Sequence, residues 1–149
     1  FAERAVGHRA LFDLEPPFAV DGVCPPISTW AKRINSTATR AEKGEVLVGV
    51  AGSGGVATGR ARVILDPGAL DDFDPGDVLI APQTDPSWAP LFITASAVVV
   101  NVGALGSHAM IVSRELGIPC VVSVADATIR IADGAMVTVD GNNGTVTVL

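Results

Sequence analysis

Residues 97–122 read AVVVNVGALGSHAMIVSRELGIPCVV, and this stretch decides the fold. Ala97–Val102 is apolar except for Asn101 and has the length of a strand buried on both faces. Gly103-Ala104-Leu105-Gly106 ends it in a tight loop, and Ser107 is a residue type that caps helices. From His108 the apolar positions Met110, Ile111 and Leu116 follow helical spacing. Gly117, suited to a left-handed cap, and Pro119, which cannot continue a helix, stop the run. Cys120–Val124 is a second apolar strand. Strand, loop, helix and strand in so few residues predict a parallel pair within a mixed α/β domain.

The flanking sequence fits that core. Val46–Val50 and the alternating Val56–Leu65 read as strands. Asp74-Pro75-Gly76-Asp77 is a turn that launches the strand Val78–Ala81. Asp85 followed by Pro86 has the chemistry of a helix N-cap and first position, opening a short helix through Trp88, Leu91 and Phe92. Ala135–Asp140 and Thr145–Leu149 form a hairpin across Gly141-Asn142-Asn143-Gly144. Before Gly44 the character changes: residues 1–44 hold six Lys/Arg and five Asp/Glu, whereas 45–149 hold four Arg, no Lys and eleven acidic residues. With Pro16-Pro17 and Pro25-Pro26 breaking it, 1–44 reads as a linker or arm of a larger parent chain. It is expected to be partly helical, around Glu3–Leu14 and around Ser28–Arg40, with Trp30 and Ile34 free to dock on a neighbour. The chain begins at Phe1, as a piece of something longer would.

Composition narrows the function. The 149 residues are 48% hydrophobic and 17% charged, enough to build a core without a metal or disulfide. A net charge of −6 argues against nucleic acid, whose binding draws on Lys and Arg neutralising phosphates. No apolar stretch reaches the roughly 20 residues of a membrane helix. Cys24 and Cys120 are single and far apart, which fits a reduced, cytoplasmic setting. Gly52-Ser53-Gly54-Gly55-Val56-Ala57 imitates a dinucleotide loop, but an alternating strand follows it instead of a helix. Asp71, Asp72 and Asp74 read as a solvated turn. His8 reads as an exposed residue of the arm.

The chemistry concentrates at Val102–Ala109. Glycines let the backbone turn, and His108 stands on the first turn of a helix whose unpaired N–H groups and dipole favour anions. That end favours an uncharged imidazole, whose free ring nitrogen is a nucleophile beside an anion cradle. The combination suits phosphoryl transfer through a phosphohistidine, and on local grounds it stands level with a merely capping or surface histidine.

The run from Gly103 to Val122 closely resembles the phosphohistidine signature of the swivelling, or mobile, domain of phosphoenolpyruvate-utilising enzymes. Gly54–Arg62 resembles that family's early Gly-rich strand, and Thr84–Phe92 its second-site loop, so the resemblance covers about 45–149. It implies a three-layer β/β/α sandwich with a mixed sheet. It also implies a phosphocarrier: His108 takes a phosphoryl group from ATP or phosphoenolpyruvate at one site and delivers it to pyruvate, water or another acceptor at a second. Gly103, Ala104, Gly106 and Ser107 would cradle the phosphate. Arg114, six residues past His108, is a possible charge partner, and Asp85 and Trp88 are candidates for a docking face. The implied partners are an ATP-grasp nucleotide-binding domain carrying Mg²⁺ and ATP, and a pyruvate, phosphoenolpyruvate or antibiotic domain. No cofactor is expected on the carrier itself. Members of the family include phosphoenolpyruvate synthase, pyruvate phosphate dikinase and rifampicin phosphotransferase. This sequence departs from the signature at Gly106, where the synthase and dikinase branches usually carry Thr, and at Ala104, where a second glycine is usual. A different class also fits: an interaction module that keeps the fold without the transfer. A free-standing hydrolase with His108 as base lacks a second carboxylate or nucleophile beside it.

Overall fold

Three runs that are apolar at every position, Val78–Ala81, Ala97–Val100 and Cys120–Val122, are buried at every position as strands. Covering them on both faces organises the rest of the molecule. The computed structural model describes residues 14–15, 20–32, 38–68 and 73–149, and the chain divides into two units, Phe1–Thr37 and Ala38–Leu149. In the first unit, β1 (Leu14–Glu15) and β2 (Ala31–Lys32) pair antiparallel, Leu14 opposite Lys32. Between them Ile27–Thr29 makes one 3-10 turn after Pro26, and the Trp30 ring N–H donates to the Pro25 carbonyl at 3.1 Å. The helix expected over Ser28–Arg40 is therefore not formed at its start, where Ala31–Lys32 is drawn into the strand pair. Its middle, with Ile34, and most of the helix expected at Glu3–Leu14, with His8, lie outside the described residues.

The second unit holds β3 (Val46–Val48), β4 (Val50–Ser53), β5 (Val56–Val63), β6 (Val78–Ala81), β7 (Ala97–Val100), β8 (Cys120–Val122), β9 (Met136–Asp140) and β10 (Thr145–Val148). They form one mixed sheet in the order β3-β10-β9-β5-β6-β7-β8-β4. β5, β6, β7 and β8 run parallel; β9, β10 and β3 continue antiparallel on one side, and β4 closes the other edge antiparallel to β8. Strand β5 serves both halves: Val56–Arg60 pairs with β9 and Ala61–Val63 with β6. The five-residue strand expected at Val46–Val50 is split at Gly49, where the chain passes from the antiparallel to the parallel half. A Cβ on Gly49 would stand 2.5 Å from the Val122 carbonyl oxygen, so only glycine lets the crossing lie this close to β8.

Alternation along the buried strands sorts their side chains into two cores. Val78, Ile80, Val99 and Val121 face inward to Leu47, Val137, Val139 and Val146 of the antiparallel layer. Leu79, Ala81, Val98, Val100 and Val122 face the other way. They bury Leu91 and Phe92 of helix α1 (Ala89–Thr94) and Ala109 and Met110 of helix α2 (His108–Leu116). The result is the β/β/α layering expected from the resemblance. The hairpin of β9 and β10 forms as expected, though of its Gly/Asn turn only Gly144 takes a positive φ, at 69°. Helix α3 (Ala127–Arg130) was not foreseen. Its start is held from a distance, with the Asn101 side chain accepting from the Thr128 N–H at 3.0 Å and donating to the Thr128 hydroxyl at 2.8 Å. No helix among the described residues is long and apolar enough to cross a membrane.

Candidate functional site

β6 and β7 are parallel neighbours, so the loops leaving their carboxyl ends emerge side by side. Sites in parallel sheets are built on such loops. The loop after β7 turns through Gly103–Ser107 into α2, whose N-terminus His108 opens. Gly103 is buried against β8: a Cβ there would lie 2.8 Å from the Val122 Cβ. The Ser123 hydroxyl donates to the Gly103 carbonyl, pinning the loop from the strand beyond, and Ser123 adopts a left-handed φ of 56° to reach it. Gly106 is exposed with φ 86°, a conformation that suits glycine. Ala104 is exposed, takes no positive φ and tolerates its side chain.

Ser107 has the extended backbone of an N-cap, φ −65° and ψ 154°, but its hydroxyl does not cap the helix. The Oγ is buried and has no hydrogen-bond partner among the described residues. The first intrahelical bond runs from the Ile111 N–H to the Ser107 carbonyl at 3.0 Å, which leaves the amides of His108, Ala109 and Met110 ahead of the ladder. The His108 ring is half-buried. Its Nδ1 lies 3.1 Å from the hydroxyl of Thr84, and the ring stands T-shaped to Phe92, centroids 5.6 Å apart at 88°. Thr84 stands three residues past the end of β6 and is 7% exposed. Thr84 opens the run that resembles the family's second-site loop, but its residue type alone does not mark it as a partner of His108; its place on the loop of the adjacent parallel strand does.

Other expected site residues fall elsewhere. Arg114 is committed to β4, its Nε donating to the Gly52 carbonyl at 2.7 Å, so it anchors α2 to the sheet and is not a charge partner drawn up to His108. Trp88 is 3% exposed within the helical core, which removes it from any docking face. Asp85 is exposed and caps the 3-10 turn Pro86–Trp88, accepting from the Ser87 N–H at 2.8 Å and its hydroxyl at 2.6 Å. The Ser87 hydroxyl, then its N–H, hold the Asp85 carboxyl below its ordinary value, with a smaller contribution from nearby His108. Burial pushes the Cys120 thiol up to about 11, the inert core cysteine its sequence context predicts. Asp74 pairs with Arg60, Asp71 and Asp72 lie outside the described residues, and no group of three His, Cys, Asp or Glu among the described residues could hold a metal.

Comparison with known proteins agrees with this architecture. A family model described as "PEP-utilising enzyme, mobile domain" matches residues 73–144. The phosphoenolpyruvate synthase of Aeropyrum pernix is 42% identical over 144 residues, covering 91% of this chain and 18% of its own length. The rifampicin phosphotransferase of Streptomyces sviceus is 46% identical over 103 residues, 69% of this chain and 12% of its own. This chain thus spans less than a fifth of the length of these two relatives. Among solved structures, holo aconitase X of Thermococcus kodakaraensis superposes on 71% of this chain and 99% of its own with a TM-score of 0.54 and 22% identity, a likeness of fold alone. By the family match, residues 73–144 of this chain belong to the family of PEP-utilising enzyme mobile domains.

Proposed function

We propose that this chain is the phosphocarrier domain of a multidomain phosphotransferase, with His108 as the covalent acceptor. The observation that carries this reading is the imidazole itself. It opens a nine-residue helix, half-buried, with one nitrogen engaged by Thr84 and unladdered backbone amides beside it. A neutral ring nitrogen attacks phosphorus, the bond from phosphorus to the donor oxygen breaks, and the donor leaves with that electron pair. The amides at the start of α2 and the buried Ser107 hydroxyl are then placed to stabilise the dianion the ring carries. Gly103, Ala104 and Gly106 let the backbone close around it. In the return step an acceptor oxygen attacks phosphorus and the electron pair goes back to the ring.

Nothing in that cycle needs a metal or nucleotide site on this domain. ATP with Mg²⁺ would sit on a partner domain of ATP-grasp type, or phosphoenolpyruvate on a substrate domain. Pyruvate, an antibiotic hydroxyl or water would take the group at the second station. The relatives' names, phosphoenolpyruvate synthase and rifampicin phosphotransferase, favour the first two of these acceptors. Incubation of the chain with phosphoramidate, or with the parent enzyme and labelled ATP or phosphoenolpyruvate, should place an acid-labile, alkali-stable phosphate on His108. His108→Ala should abolish it, and labelling that survives this substitution refutes the assignment.

A further inference from the structure

Among the described residues only two that carry a side chain take a positive φ, Ser123 at 56° and Asp126 at 54°. Both lie on the short connection from β8 to α3, at the carboxyl end of the parallel strands. A left-handed backbone is unfavourable for a residue with a Cβ, and it persists only where surrounding contacts impose it. The contacts here all go to one place. The Val124 N–H donates to the Val100 carbonyl at 3.1 Å, Asn101 holds Thr128 through both ends of its amide, and the Ser123 hydroxyl donates to the Gly103 carbonyl. Residues 123–128 thus grip residues 100–103, the chain that leads from β7 into the loop before His108.

Of these holds, that of Ser123 is the nearest in sequence to the histidine. Gly103 has little freedom on its other side: a Cβ there would stand 2.8 Å from the Val122 Cβ and 3.3 Å from the Ser107 Oγ. The place of Gly103 therefore sets where the Ser107 hydroxyl and the first amides of α2 stand relative to the ring. We propose that Ser123 is a positioning residue for phosphoryl transfer: its hydroxyl fixes the Gly103 end of the phosphate cradle, and the left-handed backbone at 123 is what brings it there. The proposal rests on the reading of His108 as phosphoryl acceptor. Ser123 takes no part in the bonds made or broken; it acts through the loop, where a small displacement of oriented groups is felt in the rate.

Two substitutions separate this role from a merely structural one. Ser123→Ala removes the hydroxyl and keeps a side chain in the left-handed region, whereas Ser123→Gly removes the hydroxyl and relieves the backbone. Ser123 is exposed, so neither leaves a cavity. Phosphoramidate labelling of His108 on the 149-residue chain, well below its melting range, should slow about three- to tenfold in both variants, the worth of one neutral hydrogen bond. Their thermal melts should part: the Ala variant several degrees below wild type, the Gly variant within a few degrees of it. Rate then follows the hydroxyl while stability follows the backbone. A Gly variant labelled as fast as wild type overturns the proposal and leaves His108 as acceptor. A Gly variant that melts as low as the Ala variant makes the slower labelling a loss of fold, and overturns it too. Absence of any label on wild-type His108 overturns the carrier reading and this proposal with it.

Discussion

Gly103→Ala and Gly106→Ala are the same chemical change at two ends of one loop, and the structure predicts that they fail for different reasons. At Gly103 the added methyl would lie 2.8 Å from the Val122 Cβ, 3.2 Å from its Cγ1 and 3.3 Å from the Ser107 Oγ. Ordinary carbon contacts begin near 3.5 Å, so something must move by more than half an ångström. Val122 is fully buried and the Gly103 carbonyl is pinned by Ser123, so little can give. Overpacking of this kind costs about 1–3 kcal/mol, and here it is relieved mainly by lifting the loop off β8 and away from the histidine. At Gly106 a methyl meets nothing within 4 Å, but φ is 86° and the cost, about 1–2 kcal/mol, is that of a left-handed backbone. Asparagine tolerates that backbone region, so Gly106→Asn should recover much of the loss whereas Gly103→Asn should deepen it. Urea denaturation gives the stabilities and phosphoramidate labelling of His108 gives the loop's competence. The reasoning is refuted if Gly103→Ala is as stable and as readily labelled as wild type, or if asparagine rescues both positions equally.

Three further outcomes follow from contacts elsewhere in the fold. Asp77 is 5% exposed and takes the Arg60 guanidinium on both oxygens, at 3.0 and 2.8 Å, whereas Asp74 shares the same guanidinium from an exposed position. Asp77→Asn should therefore cost about 2–4 kcal/mol and Asp74→Asn under about 1, since a buried partner is harder to lose than a solvated one. Arg60 holds the Asp77 carboxyl below its ordinary value, so its stabilisation is complete above the unfolded-state value of about 3.9 and fades as pH falls through the folded one. Urea midpoints from pH 7 down to pH 2 should fall less steeply for Asp77→Asn than for wild type. Trp88→Ala should cost about 3–5 kcal/mol as a core deletion, and Asp85→Ala far less as the lost cap of an exposed turn, both read by thermal melts. The reverse order would return Trp88 to the surface.

Much of this fold was legible because its central strands are buried on both faces, so Val78–Ala81, Ala97–Val100 and Cys120–Val122 advertise themselves as unbroken apolar runs. The stops were equally local: Asp85-Pro86 opens a turn and Gly117, φ 69°, closes α2. What escaped the reading depends on partners remote in the chain. The break at Gly49 is imposed by contact with Val122, α3 is held by Asn101, and Thr84 meets its histidine only because β6 and β7 are neighbours. Ser107 shows a subtler limit. Its backbone adopts the cap conformation its residue type predicts, yet its hydroxyl is buried without capping the helix, an orientation that residue type alone does not specify. Trp88 and Asp85 sit three residues apart on one short turn, and which of them faces water is settled by the apolar layer beneath.

The double membership of β5 has a mechanical consequence. A strand gripped by β9 along its first half and β6 along its second leaves no seam along which the two sheet halves could slide. A load on one half of the sheet is carried through β5 into the other, so the parallel and antiparallel layers respond together.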